Sequence, residues 1–356
     1  MHDLPSTGAR SEPAPRAPRG TAPRVLVAGA SPDRLNRNAV LRSFVVEGFA
    51  EVLGRENARE ARVELAARAV EQWRPDLVVS FGSCMPDESD YSALRRACDR
   101  TGAILAFWLH DDPYEFDFHY RAARVADFLF SNDRWAALHM DHPRAAHLPL
   151  AASPTAHFRQ RPARRRFDVF FCGVAFENRK HVVSDLAETL RRVNTLVTGS
   201  DWPTKSLPFA QDRHLSNEEV ADGCAASLLV LNLGRSLHFA NDRYRLDPST
   251  PGPRTFEAAM AGAAQAYFAT GLEICEYYEP GSEVFLFDSP RDFASLLDSL
   301  LAEPDRAAAV GLAAQRRTLR DHTYARRAER ILRTCLGFEP DAGGADRPAA
   351  SVDAGA

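Results

Sequence analysis

Short apolar runs recur along the chain, and each ends in a glycine or a polar turn. The first is RVLVAGA, beginning at Arg24. DLVVSFG from Asp76, AILAFWLH from Ala103, DFLFSND from Asp127 and AAHLPLA from Ala145 follow. Runs of this kind predict strands buried on both faces. Between them, ARVELAARAVEQW and SALRRACDRTG carry apolar positions at helical spacing. Strands alternating with helices predict a parallel sheet covered on both sides.

The pattern stops at ASPTAHFRQRPARRR, residues 152–166, which holds two prolines and a cluster of arginines. It restarts with FDVFFCG at Phe167, a helix from Glu177, NTLVTGS at Asn194, SLLVLNL ending near Asn232, AQAYFAT, and EVFLFD from Glu283. Ser216 and Glu219 predict a capping box, and Ser289-Pro290 a capped helix start. The expected class is therefore α/β, with two Rossmann-like doubly wound domains facing a cleft. Their expected bounds are 24–160 and 161–337, with the last helix able to cross back to the first domain. Residues 1–23 and 338–356, rich in Pro, Arg, Gly and Ala, are expected to be disordered tails. Ligands of such sheets bind at the carboxyl ends of the strands.

Composition narrows the classes. In a chain of 356 residues, 45% hydrophobic and 26% charged residues suit a large globular core. A net charge of -4 gives no general attraction to nucleic acid or to an anionic membrane. Six scattered cysteines with no CxxC pair predict buried thiols in a reducing compartment. No apolar run is long enough for a membrane span, and residues 1–23 lack the hydrophobic segment of a secretory signal. A cytoplasmic protein without a membrane span is expected.

The candidate chemistry lies at strand ends. AILAFWL runs into His110-Asp111-Asp112-Pro113, whose ionisable groups suit a base or a sugar-hydroxyl ligand, or else a helix cap. Two adjacent aspartates without a third placed ligand do not make a metal site. FFCGVAFENRK takes a strand through Gly173 to Arg179 and Lys180, where a glycine and a guanidinium suit a phosphate. In GPRTFEAAMAG, Arg254 and Glu257 stand three apart on one helical face, as a salt bridge or beside an anion at a helix N-terminus. Neither G-x-G-x-x-G nor G-x-x-x-x-G-K-[ST] occurs, so dinucleotide and P-loop readings have no support. His139, His142 and His147 match no zinc spacing and read as surface residues, and His322 as structural.

The segments LNLGRS, GPRTFEAAMAG, EYYEPGSEVFLFDS and DHTYARR resemble the CgeB-type spore-protein glycosyltransferases, two-domain sugar transferases of the GT-B group. WLHDDP, FSND and HLPLAASPTAHF resemble that family's amino-terminal domain, so the likeness spans roughly residues 24–336. It implies that Glu257 binds the ribose hydroxyls of a donor nucleotide, and that Gly252 and Arg254 face its diphosphate and sugar. Arg179, or Lys180, is implied as the basic diphosphate contact, with Gly173 and Asn232 among the donor-site residues. His110 is implied near the transferred sugar, with Asp111 beside it. One departure stands out. Retaining members often carry a glutamate where this chain has Ser249, with Asp247 as the nearby acid.

The expected function is transfer of a sugar from a nucleotide-diphosphate donor to an acceptor hydroxyl. No cofactor or metal is expected beyond that co-substrate. The acceptor, whether polysaccharide, protein or small natural product, is expected on the first domain. A nucleotide-sugar epimerase and a non-catalytic nucleotide-sugar-binding protein are the alternatives.

Overall fold

The computed structural model describes residues 22–35, 39–85 and 91–339; the predicted tails lie almost wholly outside that range. Two all-parallel six-stranded sheets form the frame. The first contains β1 (Val25–Gly29), β2 (Ala58–Ala61), β3 (Leu77–Gly82), β4 (Ile104–Leu109), β5 (Phe128–Ser131) and β6 (Ala145–His147), in the order β2-β1-β3-β4-β5-β6. The second contains β7 (Phe167–Cys172), β8 (Thr195–Gly199), β9 (Ala210–Asp212), β10 (Ser227–Asn232), β11 (Gln265–Phe268) and β12 (Phe285–Phe287), in the order β12-β11-β10-β7-β8-β9. The second sheet thus has the doubly wound Rossmann order, with its topological switch between β7 and β10. Gly173 follows one of those strands and Asn232 ends the other.

Alternation along each strand builds the cores. Val25 and Val27 face the helix Val40–Leu53, whereas Leu26 and Ala28 face the helices Val63–Trp73 and Tyr91–Thr101. In the second sheet Val169 and Phe171 enter one core, and Phe170 the core on the opposite face. Edge strand β2 (AREA) has no apolar run, and the hydrophobic pattern does not predict it. The predicted capping box at Ser216 and Glu219 is present, as is the Ser289 cap.

The final helix, Tyr324–Leu336, packs against the first domain. Tyr324, Ala328, Ile331, Leu332 and Cys335 share a core with Phe44, Phe49 and Leu53. Gly48 permits the approach, because a Cβ there would lie 2.5 Å from the Tyr324 carbonyl carbon. The two passages of chain between the domains run side by side. Ala152 N donates to His322 O at 3.0 Å, and buried Arg327 donates to the carbonyls of Pro149 and Leu150 at 2.8 and 3.1 Å.

All six cysteines are free thiols, four of them buried. Among the described residues, no helix is long and apolar enough to cross a membrane.

Candidate active site

The carboxyl ends of β7 and β10 supply one wall. Gly173 follows β7, and its carbonyl accepts a 2.8 Å hydrogen bond from Trp202 Nε1, which fixes the turn. A Cβ on Gly173 would come within 2.9 Å of Arg179 Nη1, so the glycine leaves room for that guanidinium to fold back over the strand end. Arg179 Nε donates to Gly234 O and its Nη1 to Val174 O, both at 3.1 Å. Burial, and then the like charges of Arg235 and Arg254, lower its pKa to about 10, so it remains cationic at neutral pH. Lys180 turns away into a local pair with Glu177.

The helix Pro253–Met260 supplies the next part, with Gly252 as its N-cap and proline at its first position. Nothing lies within 4 Å of where a Gly252 Cβ would sit, so the loop there stays open. Arg254 Nη1 and Glu257 Oε2 form the salt bridge that their spacing permits, at 2.9 Å. Arg179 lies in the first turn of the helix that follows β7 and Arg254 in the first turn of the helix that follows β10, so both cations stand at the carboxyl-end edge of the sheet.

Asn232 is held within the second domain by its amide nitrogen. Its buried amide nitrogen donates to Thr255 Oγ1 at 2.9 Å and to Gln265 Oε1 at 2.8 Å. It ties β10 to the helix and to β11, and those bonds occupy both of its N–H groups.

The first domain faces this wall with acids. His110 follows β4 and is 5% exposed; neither ring nitrogen has a hydrogen-bond partner, and the ring makes a T-shaped contact with Phe81 at 5.3 Å between centroids. Burial lowers its pKa, so the imidazole is neutral at physiological pH. Asp111 pairs with Arg235 of the second domain. That guanidinium also lies 3.5 Å from the centre of the Tyr114 ring, and Tyr114 Oη donates to Arg235 O at 2.9 Å. Two further buried carboxyls stand behind. Asp112 accepts from Ser131 Oγ at 2.7 Å, and Glu115 accepts from Ser83 Oγ. Burial first, then neighbouring acids, raises both to about 7. Such groups can hold or release a proton near neutrality.

Ser249 is engaged with the first domain. The backbone N–H groups of Ser249 and Thr250 donate to Asp133 Oδ2 at 2.8 and 3.1 Å. The Asp247 side chain is 91% exposed, with Oδ1 3.8 Å from His238 Nε2. His147 departs from the surface reading: it is half-buried, with Nε2 3.1 Å from Thr250 Oγ1 of the second domain. His322 is buried, its ring packed among Phe256, Tyr277 and Tyr278, with Nε2 3.2 Å from Tyr277 O. Among the described residues, no group of three or more His, Cys, Asp or Glu side chains is arranged to hold a metal ion.

Sequence reasoning misses Tyr114, Glu115, Arg235 and His157. Arg235 stands two residues after the apolar run SLLVLNL and is within reach of the same strand-end logic. His157 lies within HLPLAASPTAHF but is given no role there, and Tyr114 and Glu115 carry no motif signal.

Residues 179–333 match the family model described as glycosyl transferase-like. No curated protein matches the sequence. Among solved structures, HepE from Anabaena in complex with UDP is similar at a TM-score of 0.58 and 13% identity, covering 88% of this chain and 100% of that one. HepE in complex with UDP-glucose gives 0.59 and 12%, covering 88% and 100%. AviGT4, a glycosyltransferase involved in avilamycin A biosynthesis, gives 0.55 and 16%, covering 88% and 98%. At such identities the likeness shows a shared fold. The second domain thus carries a glycosyl transferase-like match, and the chain as a whole has the two-sheet GT-B architecture of these structures. The glycosyl transferase-like match lies in the second domain and begins at Arg179.

Proposed function

We propose that the protein transfers a sugar from a nucleoside-diphosphate donor to an acceptor hydroxyl, as a CgeB-like glycosyltransferase that needs no metal. The observation that carries this reading is the grouping of Arg179, Arg254 and Glu257 beside the β7–β10 switch, facing the His110 loop. Arg179 and Arg254 offset the charge that develops on the leaving diphosphate, the task a metal performs elsewhere. Glu257 accepts hydrogen bonds from the ribose hydroxyls. Neutral His110 accepts the acceptor's proton, with the Asp111 carboxylate beside it. Approach of the two domains excludes water from the reacting groups.

UDP-sugars are the first donors to test, because the HepE structures contain UDP and UDP-glucose. The acceptor, a polysaccharide, protein or small natural product, lies on the first domain. The unpaired cysteines favour a cytoplasmic setting. The test is a screen of UDP-, GDP- and dTDP-sugars that monitors released nucleotide, with and without EDTA. Release that persists in EDTA is expected. Release that stops in EDTA and returns with magnesium or manganese overturns the metal-free reading, and failure to bind any of the three nucleotides overturns the donor site.

A further inference from the structure

Glu257 has a second neighbour, from outside its own domain. His157 ends the short helix Pro154–His157 in the segment that joins the domains, and it is 3% exposed. Its ring meets Phe44 edge-on at 5.2 Å, and Phe44 in turn meets Tyr324 at 6.0 Å. The imidazole is thus wedged where both passages of chain between the domains come together. Its Nδ1 accepts a hydrogen bond from Ser153 N at 3.1 Å. A ring nitrogen that accepts carries no proton, so in the neutral imidazole the proton sits on Nε2. Burial, the largest influence, lowers the pKa of His157 and favours the neutral ring. Nε2 lies 3.9 Å from Glu257 Oε1, while Arg254 occupies Oε2. The two carboxylate oxygens therefore have separate partners, one from the helix itself and one from the interdomain segment.

We infer that His157 is a positioning residue for Glu257, holding the carboxylate in its donor-binding orientation through Nε2–H and linking donor binding to the segment between the domains. At 3.9 Å the contact is longer than a hydrogen bond, and a turn of the ring or of the carboxylate that shortens it by about 1 Å closes it. The inference rests on the reading of Glu257 as the ribose ligand.

Two substitutions separate positioning from simple support. The His157→Asn amide can still accept from Ser153 N but does not reach Glu257. The His157→Gln amide reaches toward Glu257 with an N–H and gives up the Ser153 contact. Calorimetry with UDP, or with GDP or dTDP if the wild type prefers one of them, is the measurement. His157→Asn is expected to weaken binding about tenfold, as for a lost hydrogen bond to a charged group, and His157→Gln to retain most of it. In a Glu257→Ala background His157→Asn should change nothing further, because coupled residues are non-additive. The opposite ranking, Asn tolerated and Gln not, or an additive loss in the double variant, assigns His157 to support of the segment alone and overturns the proposal. If Glu257→Ala loses binding and neither His157 variant does, only the His157 assignment falls. If Glu257→Ala binds as the wild type does, the donor reading falls and the inference with it. Melting temperatures of the variants show whether each is folded, and either variant tests the contact if the other fails to fold.

Discussion

The two walls of the cleft differ in charge and in the way their side chains are held. The second domain presents arginines, Arg179 and Arg254, anchored to backbone carbonyls and to Glu257 at the ends of regular elements. The first domain presents His110, Asp112 and Glu115, buried groups whose burial favours their neutral forms. One wall thus suits a fixed anion and the other a proton in transit. The division matches sugar transfer from a nucleoside diphosphate, in which negative charge develops on the leaving group and a proton leaves the acceptor. Arg235 is where the walls meet. It belongs to the cationic domain, yet it pairs with Asp111 and stacks on Tyr114 of the acidic one.

Breaking the comparison at the acidic wall should have the largest effect. His110→Ala is expected to lower turnover by roughly 10²–10⁴-fold while donor binding stays near the wild-type value. A variant that melts early but turns over normally per folded molecule removes His110 from the chemistry. At the cationic wall, Arg179→Ala should weaken nucleotide binding about tenfold to a hundredfold, because a charged group loses its hydrogen-bonded partner. Calorimetry that finds unchanged affinity places the diphosphate elsewhere.

The smallest effect is on stability and has a defined sign. The Asp112 pKa rises from 3.8 to about 7 on folding, so the folded protein holds the extra proton between those values. The contribution of this carboxyl is fully present below about pH 4 and is lost as pH rises through about 7. Asp112→Asn, which keeps an acceptor for Ser131 Oγ, removes that loss. Relative to wild type the variant should therefore gain stability from about pH 5 to about pH 7.5. A constant difference between the two denaturation curves across that range shows that Asp112 is ionised in the folded protein.

The legible parts of the sequence are those in which a local pattern coincides with a chemical one. Apolar runs identify most central strands, and Gly173-to-Arg179 and Arg254-to-Glu257 can be located because each lies at the end of such a run or on one helical turn. Asn232 shows the limit of this logic. A polar residue at a strand end reads as a ligand-binding residue, but its partners, Thr255 and Gln265, become visible only when β10, β11 and the helix assemble. His147 shows the reverse: a residue in a polar stretch reads as surface and instead meets Thr250 of the other domain.

The sequence by itself determined the alternation of strands and helices, the break between the halves, and the residue types at the mouth of the cleft. Those features follow from periodicity and from short-range spacing, which a linear chain displays directly. Only the tertiary structure decided which charges meet. Asp111 and Arg235 are 124 residues apart, and they pair because the loop after β10 lies against the loop after β4. The approach of His157 to Glu257 likewise depends on how the interdomain segment crosses the returning chain at Ala152 and His322. No local preference encodes such a meeting. It is fixed by strand order and by the apolar surfaces that dock the domains.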